Sequence, residues 1–314
     1  MPDAQNSRPM IFGIFANTEK PDLYEALQPL LQHLLKRRIA FVIEEGIHAI
    51  LAERKYTRLA RLQTAPRARI ARDADVVMTF GGDGTLLAAA QETLSHNTPI
   101  LGVNLGKLGF LADVNMDEVR DAVDAIIGGR YRVEARMTLA ASLDYQVKKY
   151  HALNDVVISK SGKAHVVNIE AYVDGEFLAT FVADGIIVAT PTGSTAYSLA
   201  TGGPIVVPSS DVIVVSPISA HALTTRPIIV PGRSEIVLHT TAETGSVMAM
   251  ADGQLIAENR RSFTTRVRKG HQSVQLVKDI GPDHFEMLRR KLSWAQDHRF
   301  TASKARGLKR KDVE

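Results

Sequence analysis

No cysteine occurs anywhere in the 314 residues. That excludes disulfides, a thiol nucleophile and cysteine-ligated zinc. Aromatic residues are scarce, at 6% with a single tryptophan, Trp294. A nucleic-acid-binding face interleaves aromatics with a basic patch, whereas the formal charge here is a mild +4 that leans on the stretch from Lys304 to Lys311. That stretch reads as a solvated, frayed terminus, so nucleic acid is not an expected partner. No apolar run reaches the roughly 20 residues of a membrane helix. The polar start Met1-Pro2-Asp3-Ala4-Gln5 has no secretory pattern. A cytoplasmic protein without a membrane partner is expected. The ten histidines are scattered, with no His-Glu-x-x-His helix, and no protein metal-ligand set is expected.

What is present is an alternation of strand and helix signals in the first part of the chain. Met10–Phe15, Ile39–Ile43, Val76–Phe80 and Pro99–Asn104 read as buried strands. Between them Leu23, Leu27, Leu30, Leu31, Leu34 and Leu35 recur at helical spacing, with Pro29 as a kink or break. The segment from Arg54 to Ala71 reads as helical. This predicts an α/β domain with a parallel sheet over residues 1–130, its ligands gathered at the carboxyl ends of the strands. From Tyr131 onward short alternating runs take over. Val167–Val173 and Glu176–Phe181 flank Asp174-Gly175, and Val247–Ala251 and Gln254–Ile256 flank Asp252-Gly253. Both read as hairpins with two-residue turns. Val206-Val207-Pro208 and Ile228–Pro231 read as further strands. Residues 131–284 are therefore expected to form a mostly antiparallel, sandwich-like β domain. Phe285, Leu288, Leu292 and Trp294 mark an amphipathic helix that opens a 285–314 segment, packing back and ending in a basic disordered tail.

Gly81-Gly82-Asp83-Gly84-Thr85 is the most informative motif. A strand ends, three glycines surround one carboxylate, and Leu86–Ala90 reads as a helix. Bare backbone N–H groups and a helix N-terminus suit phosphate, yet Asp83 would repel it unless the carboxylate takes a proton or helps hold a metal. Other phosphate loops are excluded. Gly102–Leu108 falls one residue short of a P-loop and has Leu108 in place of Ser or Thr, and G-x-G-x-x-G is missing. Three further stretches admit two readings each. Gly106–Phe110 is a site loop or a plain connection. Thr190–Ser198 holds phosphate or ribose, or is a loop capped by Ser194 or Thr195. Asn154-Asp155 alone is more often a turn, and Asp252-Gly253 more often a hairpin turn than a site.

Together, Gly81–Thr85, Asn104–Leu111, Asn154-Asp155 and Thr190–Tyr197 resemble the NAD kinase family, in its motif order, from about Ile11 to Trp294. The resemblance implies phosphorylation of the 2′-hydroxyl of the adenosine ribose of NAD, with ATP or polyphosphate as donor and Mg2+ or another divalent metal. It casts Asp83 as general base and Gly84 as a backbone contact of the dinucleotide. Asn154 and Asp155 would bind the ribose or adenine side, and Asp184 the nicotinamide end. Thr195, Ala196, Tyr197 and Ser198, with Leu199 and Ala200, would line the adenine and neighbouring-subunit contacts, and Gln254 supplies a further contact. Val182 and His165 stand at binding positions where several relatives carry basic residues. A homodimer or homotetramer is implied. A lipid kinase with the same glycine loop and a non-catalytic dinucleotide sensor are the competing readings.

Overall fold

The structure, a computed structural model, describes residues 9–56, 58, 61–106, 109–162, 166–278 and 283–294. His165, Lys107, Leu108 and the basic tail lie outside the described residues. The first layer runs β1 (Ile11–Ala16), α1 (Leu23–Arg37), β2 (Ala40–Glu44), α2 (Glu45–Glu53), β3 (Thr64–Ala65), α3 (Arg67–Asp73), β4 (Val76–Gly81), α4 (Asp83–Thr93), β5 (Ile100–Asn104), β6 (Val114–Asn115) and α5 (Val119–Ile127). Strands β3-β2-β1-β4-β5 lie side by side and parallel. Every residue of β4 is buried, as expected of a strand covered by helices on both faces.

Two expectations about helices need correction. The stretch from Arg54 to Ala71 is not one helix. Ile43 pairs with Thr64 and Glu44 with Ala65, so a short strand intervenes, and the helix restarts only after Pro66. Nor does Pro29 end α1, which continues to Arg37. Leu23, Leu27, Leu30, Leu31 and Leu34 are all buried along one stripe. That continuous apolar face outweighs the one backbone hydrogen bond the proline removes.

The second part comprises β7 (Arg132–Arg136), β8 (Leu139–Leu143), β9 (Lys149–Ala152), β10 (Asp155–Ser161), β11 (Val167–Val173), β12 (Glu176–Ala183), β13 (Gly185–Ala189), α6 (Tyr197–Ala200), β14 (Val212–Ile218), β15 (Ile228–Pro231), β16 (Ile236–Thr241), β17 (Ser246–Ala251), β18 (Gln254–Arg260), β19 (Ser262–Lys269), β20 (Val274–Lys278) and α7 (His284–Lys291). Two antiparallel sheets form, ordered β15-β14-β13-β10-β17-β18 and β12-β11-β16-β19-β8-β9. Ile158, Ile186, Val215 and Val247 of one face Leu139, Ile169, Leu238 and Val267 of the other in a shared core. This is a β-sandwich. Both Asp-Gly hairpins form, with Asp174 and Gly175 at φ 53° and 85° and Asp252 and Gly253 at 48° and 76°, the left-handed pair a tight hairpin requires.

The sandwich does not keep its strands to itself. β20 runs parallel to β5 and antiparallel to β7, so the chain returns to complete the first sheet. Val206-Val207-Pro208 forms no strand, because the Val206 N–H donates to Ser194 Oγ (2.9 Å) instead of to a ladder. The last helix, α7, buries Met287 and Leu288, whereas Phe285 and Trp294 stay largely exposed. Lys291 of α7 lies 5.6 Å over the Phe110 ring.

Candidate active site

Asp83 opens α4, with extended Gly82 before it. Its carboxylate does not float in the glycine loop. Oδ2 accepts the N–H of Phe110 (2.9 Å), and Oδ1 accepts those of Leu111 and Ala112 (both 3.0 Å). A side chain on Gly109 would stand 2.7 Å from Asp83 Cγ and closer to its oxygen, so that turn needs glycine. The turn after β5 is tied down at its other end, where Leu105 N–H donates to Gly81 O (3.0 Å) and Gly106 N–H to Asn104 Oδ1 (2.8 Å). Asp83 therefore joins the glycine loop to the Phe110–Ala112 backbone. A carboxylate has about four lone-pair sites, and one on Oδ2 remains. Gly82 and Gly84 have nothing within 4 Å of where a side chain would be, which leaves their backbone open to a ligand.

A cleft of about 320 Å³ lies beside this loop, lined by Asn17, Thr18, Glu19, Arg67, Gly84 and Thr85 among others. Arg67 is fixed there by an ion pair with buried Glu44 and by a hydrogen bond to Ala16 O (3.0 Å). The first residue of α3 thus places a cation at the carboxyl end of β1. Nothing in the sequence singled it out.

The Asn154-Asp155 segment is held by a residue that reads, in sequence, only as a hairpin turn. Asp252 Oδ2 accepts the N–H of Leu153 (2.7 Å), and Oδ1 accepts those of Asn154 (2.8 Å) and Asp155 (3.2 Å). Asp252 does make the β17–β18 turn, and its side chain reaches back across the sheet. Gln91 on α4 sits beside Asp252 and donates to His151 O (2.9 Å). Leu153 packs with Leu86, Ala89 and Leu111. The helix that begins with Asp83 therefore lies directly against the segment carrying Asn154 and Asp155. Burial, then the neighbouring Asp252 charge, pushes the Asp155 carboxyl up to about 7. Burial also raises Asp252, against the three N–H groups and Gln91.

The Thr190–Thr195 loop closes onto the same strand start. Thr190 Oγ1 donates to Leu153 O (2.6 Å), and Thr190 N–H donates to Asn154 O (2.9 Å). Gly193 lies so close that a Cβ there would be 2.5 Å from the Asn154 carbonyl carbon. Arg136 Nη1 reaches Thr192 Oγ1 at 3.4 Å. Ser194 and Thr195 do not cap the following helix. Ser194 Oγ donates to Pro191 O and Thr195 Oγ1 to Thr192 O, within their own turn. Ser198 Oγ meets Ser216 Oγ in the interior (3.1 Å), while Tyr197 and Ala200 are exposed and Ala196 and Leu199 half-buried.

The structure thus brings the Thr190–Thr195 loop and Asp252 onto the Asn154-Asp155 strand start, with Asp83 at the first residue of α4 and Gln254 exposed just past the Asp252 turn. Asp184 and Val182 fall elsewhere in this chain. Asp155 pairs with Ala189 at one end of β10–β13, and Ser159 pairs with Gly185 at the other. Asp184 stands five steps along the extended chain from Ala189, roughly 16 Å. There Asp184 makes an ion pair with Lys160 (2.6 Å), and half-exposed Val182 accepts the His221 N–H at its carbonyl (2.9 Å).

Two family models match the sequence, the ATP-NAD kinase N-terminal domain over residues 12–131 and the ATP-NAD kinase C-terminal domain over residues 153–279. The chain belongs to the ATP-NAD kinase family. It is 38% identical over 287 residues to an NAD kinase of Geobacter metallireducens, and 37% identical over 287 residues to that of Geotalea daltonii. Both alignments cover 90% of this chain and 98% of the relative. Among solved structures, the yeast NADH kinase complexed with NADH superposes with a TM-score of 0.83 at 26% identity, covering 95% of this chain and 91% of that one. An NAD kinase from Archaeoglobus fulgidus in complex with ATP shares the fold, with a TM-score of 0.67 at 21% identity over 90% of this chain and 98% of that one. The family's two domain models fall on either side of the contact between α4 and the segment carrying Asn154 and Asp155.

Proposed function

We propose that this chain transfers the terminal phosphoryl group of ATP or inorganic polyphosphate to the 2′-hydroxyl of the adenosine ribose of NAD, making NADP. The observation that carries this reading is the pair of ties at the Asn154-Asp155 strand start, where Asp252 accepts the backbone N–H groups and Gln91 of α4 donates to the adjoining His151 O. In this reading the carboxylate of the glycine-rich loop, at the start of that same helix, faces the ribose held at the strand start. The curated relatives named NAD kinase support the same reading.

In this reading Asp83 takes the ribose hydroxyl proton on the lone pair that the 110–112 backbone leaves free, a role worth about 10²–10⁴ in rate. Asn154 and Asp155 bind the ribose hydroxyls. With its carboxyl raised to about 7, Asp155 is partly protonated at neutrality and both donates and accepts. The donor's phosphates lie on the open Gly82 and Gly84 backbone, with Arg67 facing them across the cleft. Among the described residues, no three Asp, Glu or His side chains converge into a metal cage. The site fits a cation such as magnesium, which takes most of its ligands from phosphate and water. Glu19 and Thr85, lining the cleft, would complete its coordination. Such an ion neutralises charge that develops on the transferring group.

Asp184 and Val182 lie too far along their strand to meet the adenosine ribose beside Asp155 and are left for the nicotinamide end of NAD, bound by this copy of the chain or by a second one. The reading is of a homodimer or homotetramer working in the cytoplasm. A lipid acceptor fits less well, because the Thr190–Thr195 loop is built tightly around the Asn154 backbone. The test is NADP formation from NAD, magnesium and either ATP or polyphosphate, run beside diacylglycerol and sphingosine. Asp83→Asn is expected to lose most turnover while NAD still binds. Near-normal turnover in that variant would remove the base from the mechanism, and phosphorylated lipid without NADP would overturn the acceptor.

A further inference from the structure

The sandwich sheet that ends in β8 and β9 turns one face outward. Leu139, Ala141 and Leu143 point into the core, so Ala140 and Ser142 point out. Register places Ser142 between Lys149 of β9 and Arg266 of β19, and Ala140 between His151 and Arg268. Two small side chains flanked on both sides by long basic ones form a trough. It encloses about 220 Å³ and is completed by Glu235, Lys269 and His271.

The charges in this trough are unbalanced. Glu235 is the one acid among the described lining residues. Its Oε1 already serves two guanidinium groups, Arg268 at 2.6 Å and Arg266 at 3.7 Å. Lys269 is paired outside the trough with Asp211 (2.5 Å). Basic side chains facing one another across a single intervening strand repel. His151 Nδ1 is buried without a hydrogen-bond partner. Burial and then the Lys149 and His271 charges hold the His151 ring below its usual range. This cluster has more donors than acceptors.

We propose that this trough binds an inorganic oligophosphate, at a site distinct from the glycine loop of the first sheet. The basic positions form a grid, about 7 Å apart along each strand and about 10 Å across. That spacing suits a chain of phosphates better than a single one, and guanidinium forks match phosphate oxygens in pairs. The volume lies below the ~300–1,000 Å³ of sites that enclose drug-sized ligands, so it takes a slim ion and excludes a dinucleotide. The lining has no Phe, Tyr or Trp on which a base could stack, which argues against nucleotide and nucleic acid alike.

The test is calorimetric titration of the full chain with inorganic tripolyphosphate, read beside the imidazole NMR signals of His151 and His271. Wild type should bind with movement of both imidazoles. Arg266→Ala with Arg268→Ala should weaken that event about tenfold or more. Lys149→Gln, on another strand and away from Glu235, should weaken it as well, which covers the case of a disturbed β19. Arg120→Ala on α5 should leave it unchanged; Arg67→Ala weakens only the separate binding of the ion in the glycine-loop cleft and should leave the movement of both imidazoles as in wild type. Basal NAD phosphorylation should be unaffected by the trough variants. Unmoved imidazoles, or wild-type affinity in both the double variant and Lys149→Gln, would overturn the proposal.

Discussion

Gly193→Ala isolates the geometric argument for the Asn154-Asp155 strand start, since it adds one methyl group and changes no charge. The new Cβ would stand 2.5 Å from the carbonyl carbon of Asn154 and 2.8 Å from its Cα, with the carbonyl oxygen nearer still. Contacts under 3.0 Å are essentially never made by real Cβ atoms. The obstacle is backbone, which cannot rotate aside. The Thr190–Thr195 loop and the Asn154 strand start must therefore part by about 1 Å, and a misplacement of that size can cost ~10²-fold in rate. The shift also strains the two bonds Thr190 makes to Leu153 O and Asn154 O. Overpacking of this kind costs about 1–3 kcal/mol of stability. Steady-state kinetics at varied NAD should show kcat/KM down by about two orders of magnitude, with a folded protein by circular dichroism. If kcat/KM stayed within about twofold of wild type, the contact between loop and strand would not be what positions the nucleotide.

Asp155 makes stability depend on pH. Burial favours its protonated form, so the native state holds this proton more tightly than the unfolded chain does. The stabilisation is whole below pH about 3.8 and is lost as pH rises through about 7. Asp155→Asn should therefore gain about 3 kcal/mol relative to wild type between pH 5 and pH 8 in urea titrations, and an unchanged slope would point to another group. Arg136→Met should cost about 3 kcal/mol, because buried Arg136 pairs with Glu134 (2.7 Å) and donates to Thr192. A loss under about 1 kcal/mol of unfolding free energy in urea titrations would mean that water already satisfies the partners.

What the sequence made legible was local. Asp174-Gly175 and Asp252-Gly253 announce their hairpins because a left-handed pair of residues admits few side chains. The glycine loop announces itself because strand and helix periodicities meet across it. What stayed hidden depends on long reach. Asp252 binds residues 97 to 99 positions away. A turn aspartate that clamps a distant backbone has the same local signature as one that merely turns. Arg67 and Glu44 find each other only because β1, β2 and α3 share one edge of the sheet. β20 is five residues long, and nothing in so short a run says which of three sheets will accept it. Asp83 shows the limit best. Its motif predicted a carboxylate in need of a task, and the sequence offered proton transfer or a metal. The structure adds a third task, holding the Phe110–Ala112 backbone. An Asp83→Ala variant would then lose the turn along with the base. Asp83→Asn keeps one accepting oxygen for Leu111 and Ala112, so it tests proton transfer with less disturbance of the loop.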